Sequence, residues 1–186
     1  MGRKKVLSKE EIVEASMDLI QTKGYEFVSI RNIARALECS PQPIYSQFES
    51  IKAVDQVLSQ AIYDKMLKDY MLKENGEDPF LQLGLGYIMF AKEQPRLFEF
   101  LYFSKRNLGI NDGNYNQLIK KAGQGDVMNS LDENLVKKIH QKISIFTHGL
   151  AVQVMARPDL YTEDEIRNLL IDTSRFIGEG ERNREN

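Results

Sequence analysis

The sequence predicts an all-α protein, and three observations carry that reading. Apolar residues recur at three- and four-residue spacing along most of the chain, and strand-like alternation is hard to find. Complete helix-start signatures occur twice, as Ser8-Lys9-Glu10-Glu11 and Thr162-Glu163-Asp164-Glu165. Each is a capping box, in which a hydroxyl residue takes the amide three positions on and a glutamate there reaches back to the cap. Leu7 with Ile12, and Tyr161 with Ile166, stand at the flanking staple positions.

The elements follow in order. Ser8 opens a first helix whose inner face is Ile12, Ala15, Leu19 and Ile20, and Gly24 offers its C-terminal stop. Ser29 caps a shorter second helix with Ile33, Ala34 and Leu37 inward. The stretch Cys39-Ser40-Pro41-Gln42-Pro43 comes next. Prolines fit a helix's first turn, where amides lack intrahelical partners. Ser40 as N-cap would put Pro41 first. The residue before a proline disfavours the α region, which moves the start to Gln42 as N-cap and leaves a short helix from Pro43 to Gln47.

A long helical region runs from Ser50 to about Lys73, and Asn75-Gly76 breaks it. Asp78-Pro79 opens a further helix, with Pro at its first position, that ends near Gln94-Pro95. Gly84 and Gly86 inside it mark either a close contact or a place where the helix yields. Pro95 to Lys105 is helical and dense in Phe and Tyr, Asn107 to Asn114 reads as a loop, and Tyr115 to Ala122 is a weaker helix before Gly123 and Gly125. Asp132 starts a long helix that Arg157-Pro158 ends. The final helix places Ile166, Leu169, Leu170, Phe176 and Ile177 on one face, with a polar, frayed tail expected after Gly178.

Composition narrows the class. With 186 residues, a net charge of −2 and 42% apolar residues, the chain is globular rather than disordered. The lone Cys39 excludes an intramolecular disulfide framework and fits a reducing compartment. Met1 to Lys5 is basic but no apolar signal core follows, and no apolar run reaches bilayer length. A cytoplasmic protein with no membrane partner is the expectation. There is no Gly-rich phosphate loop, no Gly-x-Ser-x-Gly elbow and no His-Glu-x-x-His, so an enzyme is not expected. His140 and His148 stand eight residues apart, not at the spacing of a helical metal pair. No catalytic residue, metal or cofactor is assigned.

Three short helices in the first fifty residues, with a tight link between the second and third, fit a helix-turn-helix that reads double-stranded DNA. The residues add specificity: Ile12, Ala15, Gly24-Tyr25, Val28-Ser29-Ile30-Arg31-Asn32-Ile33-Ala34, Leu37, Ser40, Ile44-Tyr45 and Phe48. In order and spacing this pattern, over about residues 8 to 58, resembles the tetracycline-repressor (TetR) family of bacterial transcription regulators. The chain departs from that family's usual pattern at Glu38, where the family has Gly, at Gln42-Pro43, and at Ile51, with Lys52 one residue late.

The resemblance implies a DNA-binding domain over residues 1–49 and an effector-binding and dimerisation domain over 50–186. Candidate DNA contacts are Arg3 and Lys4 on the basic arm, Ser29 and Arg31 at the start of helix two, Gln42, Pro43, Tyr45, Ser46 and Gln47 around the recognition helix, and Lys52. Arm cations meet phosphates, Tyr45 resembles the family's phosphate-contacting tyrosine, and a glutamine pairs bidentately with adenine. Across residues 1–56 Lys and Arg equal Asp and Glu in number. Binding therefore requires the positive groups to gather on one face.

The family's small-molecule effector maps onto the aromatic residues Tyr87, Phe90, Phe98, Tyr102, Phe103 and Phe146, with His148. Its dimer seam maps onto the last two long helices, at Gly149, Leu150, Val154, Leu169 and Phe176. The implied function is a homodimeric regulator, a repressor released from a pseudo-palindromic operator by an effector. The alternative is a helical interaction protein that has lost specific DNA binding.

Overall fold

The structure, a computed structural model, describes residues 7–74, 76–106, 115–124 and 132–185. Among these residues it is all-α, with nine α-helices and no strand. They are α1 (Lys9–Lys23), α2 (Ile30–Ala36), α3 (Gln42–Tyr45), α4 (Ile51–Met66), α5 (Pro79–Glu93), α6 (Pro95–Phe103), α7 (Tyr115–Ala122), α8 (Glu133–Ala156) and α9 (Glu163–Glu185). A 3₁₀ turn (Tyr25–Phe27) precedes α2, and a π-helical segment (Leu67–Met71) extends α4. The Arg3, Lys4 and Lys5 arm and the expected 107–114 loop lie outside the described residues.

The caps form as the sequence dictates. The Ser8 hydroxyl accepts the Glu11 amide at 3.1 Å and a Glu11 carboxylate oxygen accepts the Ser8 amide at 2.8 Å. Thr162 and Glu165 repeat the exchange, and these hydrogen bonds hold the Glu165 carboxyl below its ordinary range. Asp132 takes the amides of Asn134 and Leu135. The final helix differs from expectation: it does not fray after Gly178 but continues to Glu185. The Lys142–Glu181 ion pair ties that last stretch to α8, with Glu181 almost fully buried.

The chain forms two compact units, Met1–Asp64 with Gln94–Asn111, and Lys65–Glu93 with Asp112–Asn186. In the first, α1 packs against α2 and α6. Leu7, Ile12, Ile20, Ile33, Ile44, Phe98 and Phe100 are fully buried there. Arg96 donates to the Gln21 carbonyl at 2.9 Å, and Gln21 to Gln94 at 2.6 Å, fixing the start of α6 on the end of α1.

In the second unit α5 is central, against α7, α8, α9 and the π segment. Its two glycines are close contacts. A Cβ on Gly86 would stand 2.8 Å from the Met71 Cα, and one on Gly84 3.3 Å from the Leu170 methyls. The Gln82 side-chain amide donates to the Tyr70 carbonyl at 2.6 Å at this crossing. His140 on α8 is half-buried, and desolvation lowers its pKa.

Candidate nucleic-acid interface

The first unit presents a helix-turn-helix, and its local geometry follows from single residues. Gly24, at φ 91°, ends α1 with its amide on the Ile20 carbonyl, so the chain reverses into the 3₁₀ turn. Ser29 is extended and its hydroxyl accepts the Asn32 amide at 3.2 Å, which starts α2. That amide is therefore taken by the cap rather than left for an anion.

The end of α2 is a Schellman turn. The Cys39 amide reaches the Ala34 carbonyl at 2.9 Å and the Glu38 amide the Arg35 carbonyl at 3.2 Å. Glu38 holds the left-handed position at φ 51°, alone among the described non-glycine residues. The substitution of Glu for the family's Gly thus leaves the turn type intact and places backbone strain in it.

Neither expected start of the recognition helix is correct. Pro41 is the N-cap, already in the αR region (φ −61°, ψ −22°), Gln42 is the first helical residue and Pro43 the second. Both prolines sit where no intrahelical amide is needed, and their fixed φ suits the turn. The Tyr45 amide bonds the Pro41 carbonyl and the Ser46 amide the Gln42 carbonyl, both at 3.1 Å. The helix spans Gln42–Tyr45 rather than Pro43 to Gln47.

Within α3, Ile44 is fully buried and anchors the helix, while Tyr45 is 53% exposed and projects to solvent. Gln42 and Ser46 are exposed, Pro43 and Gln47 half-buried. The Ser46 hydroxyl donates back to the Gln42 carbonyl at 3.0 Å, so its lone pairs are what it offers outward. Lys52 is exposed in the first turn of α4, behind the Ser50 hydroxyl that accepts the Ala53 amide.

Two depressions of this unit differ in the charges that line them. Ile30, Arg31, Ala34, Arg35, Cys39, Pro41 and Tyr45 line one open depression, which among the described residues has two exposed arginines and no carboxylate in its lining. A separate depression is lined by Glu11, Glu14 and Asp18 with Lys23. Arg35 was missed by sequence reasoning, which followed Arg31 alone; one turn further along α2, Arg35 faces the same hollow. Cys39, expected in the core, is half-buried and lines that hollow instead.

Residues 12–54 match the profile of the family described as bacterial regulatory proteins, tetR family. The N-terminal segment is thus similar to the DNA-binding part of that family. A Bacillus subtilis (strain 168) relative, the uncharacterized HTH-type transcriptional regulator YobS, is 24% identical over 97 residues, half of this chain and half of that protein's length. The TetR-like fold extends further than the matched segment. A candidate transcriptional regulator of Pseudomonas aeruginosa PAO1 superposes with a TM-score of 0.68 at 14% identity, covering 95% of this chain and 92% of that one. A TetR variant of Acinetobacter baumannii AYE in complex with minocycline gives 0.63 at 14% identity, covering 97% and 99%.

The remaining expected sites are placed as follows. In the second unit the Tyr87 hydroxyl and His148 Nδ1 are 2.8 Å apart, both residues half-buried, and Phe146 is half-buried as well. Phe90 is fully buried, as is Phe98 in the first unit, so both are core rings rather than open lining. Tyr102 meets Phe98 in a tilted pair (41°) with centroids 4.7 Å apart, and Phe103 is half exposed.

Of the expected seam residues, Leu150 and Val154 are buried within the chain's own second unit and are corrected to core. Gly149 is exposed with open space above it, Leu169 is half-buried and Phe176 is 79% exposed. Ile145, one turn before Gly149 on α8 and 72% exposed, was not foreseen. Among the described residues no three His, Cys, Asp or Glu side chains gather as a metal site, and no helix is long and apolar enough to cross a membrane.

Proposed function

We propose that this chain is a TetR-family regulator: a homodimeric DNA-binding repressor of the cytoplasm, released from a pseudo-palindromic operator by a small-molecule effector. The observation that carries the reading is the lining of one depression in the first unit. Arg31 and Arg35 share that hollow with the exposed Tyr45, beside the polar groups of Gln42 and Ser46. Guanidinium groups and a phenol on one face suit phosphates, and the glutamine suits a base edge. The reader is assigned to residues 1–49, and the effector and dimer functions to 50–186.

Ile145, Gly149 and Phe176 support the dimer: two large apolar side chains and a glycine with open space above it stand exposed on α8 and α9. A dimer places two readers about one helical turn apart, roughly 34 Å. The half-buried Tyr87–His148 pair would offer an effector polar groups, such as orient a ligand in a mostly apolar site. An effector acts only through its differential affinity for the DNA-competent and incompetent states.

Fluorescence anisotropy with the DNA upstream of the chain's own gene tests the reading. Saturable binding, poorly competed by random DNA, is expected. Arg35→Ala should lower the salt slope by about one, as removal of one phosphate contact does. Absence of binding at every salt concentration would instead favour an interaction protein on the same fold. A thermal-shift screen against metabolites and drugs identifies the effector class, because a ligand of the folded state raises stability.

A further inference from the structure

We propose that Arg106 is the positioning residue of the DNA reader, an inference that rests on the DNA-binding reading above. Its guanidinium holds α4 and the corner before α2 in the arrangement that presents the hollow of Arg31, Arg35 and Tyr45.

Arg106 follows α6 closely in sequence and reaches far back along the chain. Its Nε donates to Asp55 Oδ2 at 3.0 Å and one terminal nitrogen to Asp55 Oδ1 at 2.6 Å, a bidentate pair. The other terminal nitrogen donates to the carbonyls of Tyr25 at 2.8 Å and Val28 at 2.9 Å. Four of the five guanidinium N–H groups are thereby engaged. The Arg106 backbone is itself held, its amide donating to the hydroxyl of the buried Ser104 at 3.0 Å.

Each partner bears on the reader. The Val28 carbonyl belongs to the peptide that enters Ser29, the cap of α2. The Tyr25 carbonyl belongs to the 3₁₀ turn that sets the direction of that entry. Asp55 lies in the second turn of α4, just after Lys52, and the residue is 5% exposed. A buried carboxylate requires a partner of this kind, so Asp55 and the corner are locked to the same cation. The planar fork makes both sets of bonds at once. A lysine, a point charge with three donors, cannot span a carboxylate and two carbonyls in this geometry.

The test compares Arg106→Lys with Arg96→Lys in the full-length protein. Arg96 also donates to a main-chain carbonyl in this unit, but at the surface, and serves as the control. Three readings are taken: helix content by circular dichroism, amide exchange across residues 25–32, and affinity for the upstream DNA against salt.

For Arg106→Lys, helix content should persist, exchange across 25–32 should rise by about tenfold or more, and affinity should fall by about tenfold or more at an unchanged salt slope. Arg96→Lys should leave exchange and affinity at wild-type values. A fall in slope by about one would make Arg106 a phosphate contact and overturn the proposal. So would wild-type affinity in Arg106→Lys. If Arg106→Lys does not fold, Asp55→Asn, which keeps shape and one acceptor, is read in the same way and should show a smaller loss of the same kind. Should the wild-type protein bind no DNA, the DNA-binding reading fails. An exchange effect that survives would then leave Arg106 as a structural clamp only.

Discussion

Gly86→Ala is the substitution whose cost can be worked most directly from the structure. The added Cβ would stand 2.5 Å from the Tyr70 carbonyl carbon and 2.8 Å from the Met71 Cα, with the Tyr70 oxygen closer still. Carbon atoms pack comfortably at about 3.5–4.0 Å, so the overlap is on the order of 1 Å. The atoms in the way are backbone, and cannot yield by a rotamer change. The π segment must therefore move off α5, carrying the buried Leu67 and Met71 and pulling the Tyr70 carbonyl from Gln82. Overpacking of this kind costs about 1–3 kcal/mol and the strained hydrogen bond about 1 kcal/mol more. Alanine's helix propensity returns about 1 kcal/mol. The net is about 2 kcal/mol of destabilisation, or a Tm lower by about 4–8 °C for a chain of this size. Gly84→Ala is the control. Its Cβ meets only the Leu170 methyls at 3.3 Å, which can turn aside, and its Tm should stay within about 3 °C of wild type. Thermal melts by circular dichroism decide the matter. A Gly86→Ala melt at or above the wild-type temperature would refute the close-contact reasoning.

Glu38→Gly should raise stability by about 0.5 kcal/mol, because the left-handed penalty of about 1–2 kcal/mol is removed while glycine adds chain entropy of about 0.5–1 kcal/mol. Urea unfolding midpoints measure it. His140 gives a pH test. Burial lowers its pKa below 6.5, so the unfolded state binds the proton more readily. Its share of stability is whole above pH 6.5 and is lost as pH falls toward the lowered folded value. His140→Leu should flatten that acid limb of the stability profile, and an unaltered limb would exclude the group as its cause. Phe176→Asp, on the exposed face of α9, should turn a dimer into a monomer in light scattering; a dimer that persists would place the seam elsewhere.

Much of the secondary structure was legible because its causes are local. Both capping boxes, the Asp132 cap, the Gly24 stop and the Pro79 start depend on residues within one turn of each other. The recognition helix was misplaced by one or two residues. The bias of Gln42 against the α region, as the residue before a proline, is weak, and it yields once Ile44 is buried. The tail of α9 was misread because a polar sequence carries no sign of the Lys142–Glu181 pair that holds it.

The face a residue presents is not a local property. Leu150 and Phe176 are equally apolar in sequence, yet one is core and the other is 79% exposed. Equal numbers of acids and bases gave no sign that the arginines would gather in one hollow and three carboxylates in another.

The sequence by itself determined the helical class, the order of the elements and the TetR resemblance, since periodicity, caps and turn residues act over a few positions. The tertiary structure decided which side chains meet. Arg35 joins Arg31 and Tyr45 across a turn, Gly86 admits the Tyr70 backbone, and Arg106 finds Asp55 from fifty-one positions away. Such contacts depend on how helices pack, and packing is set by the whole core at once.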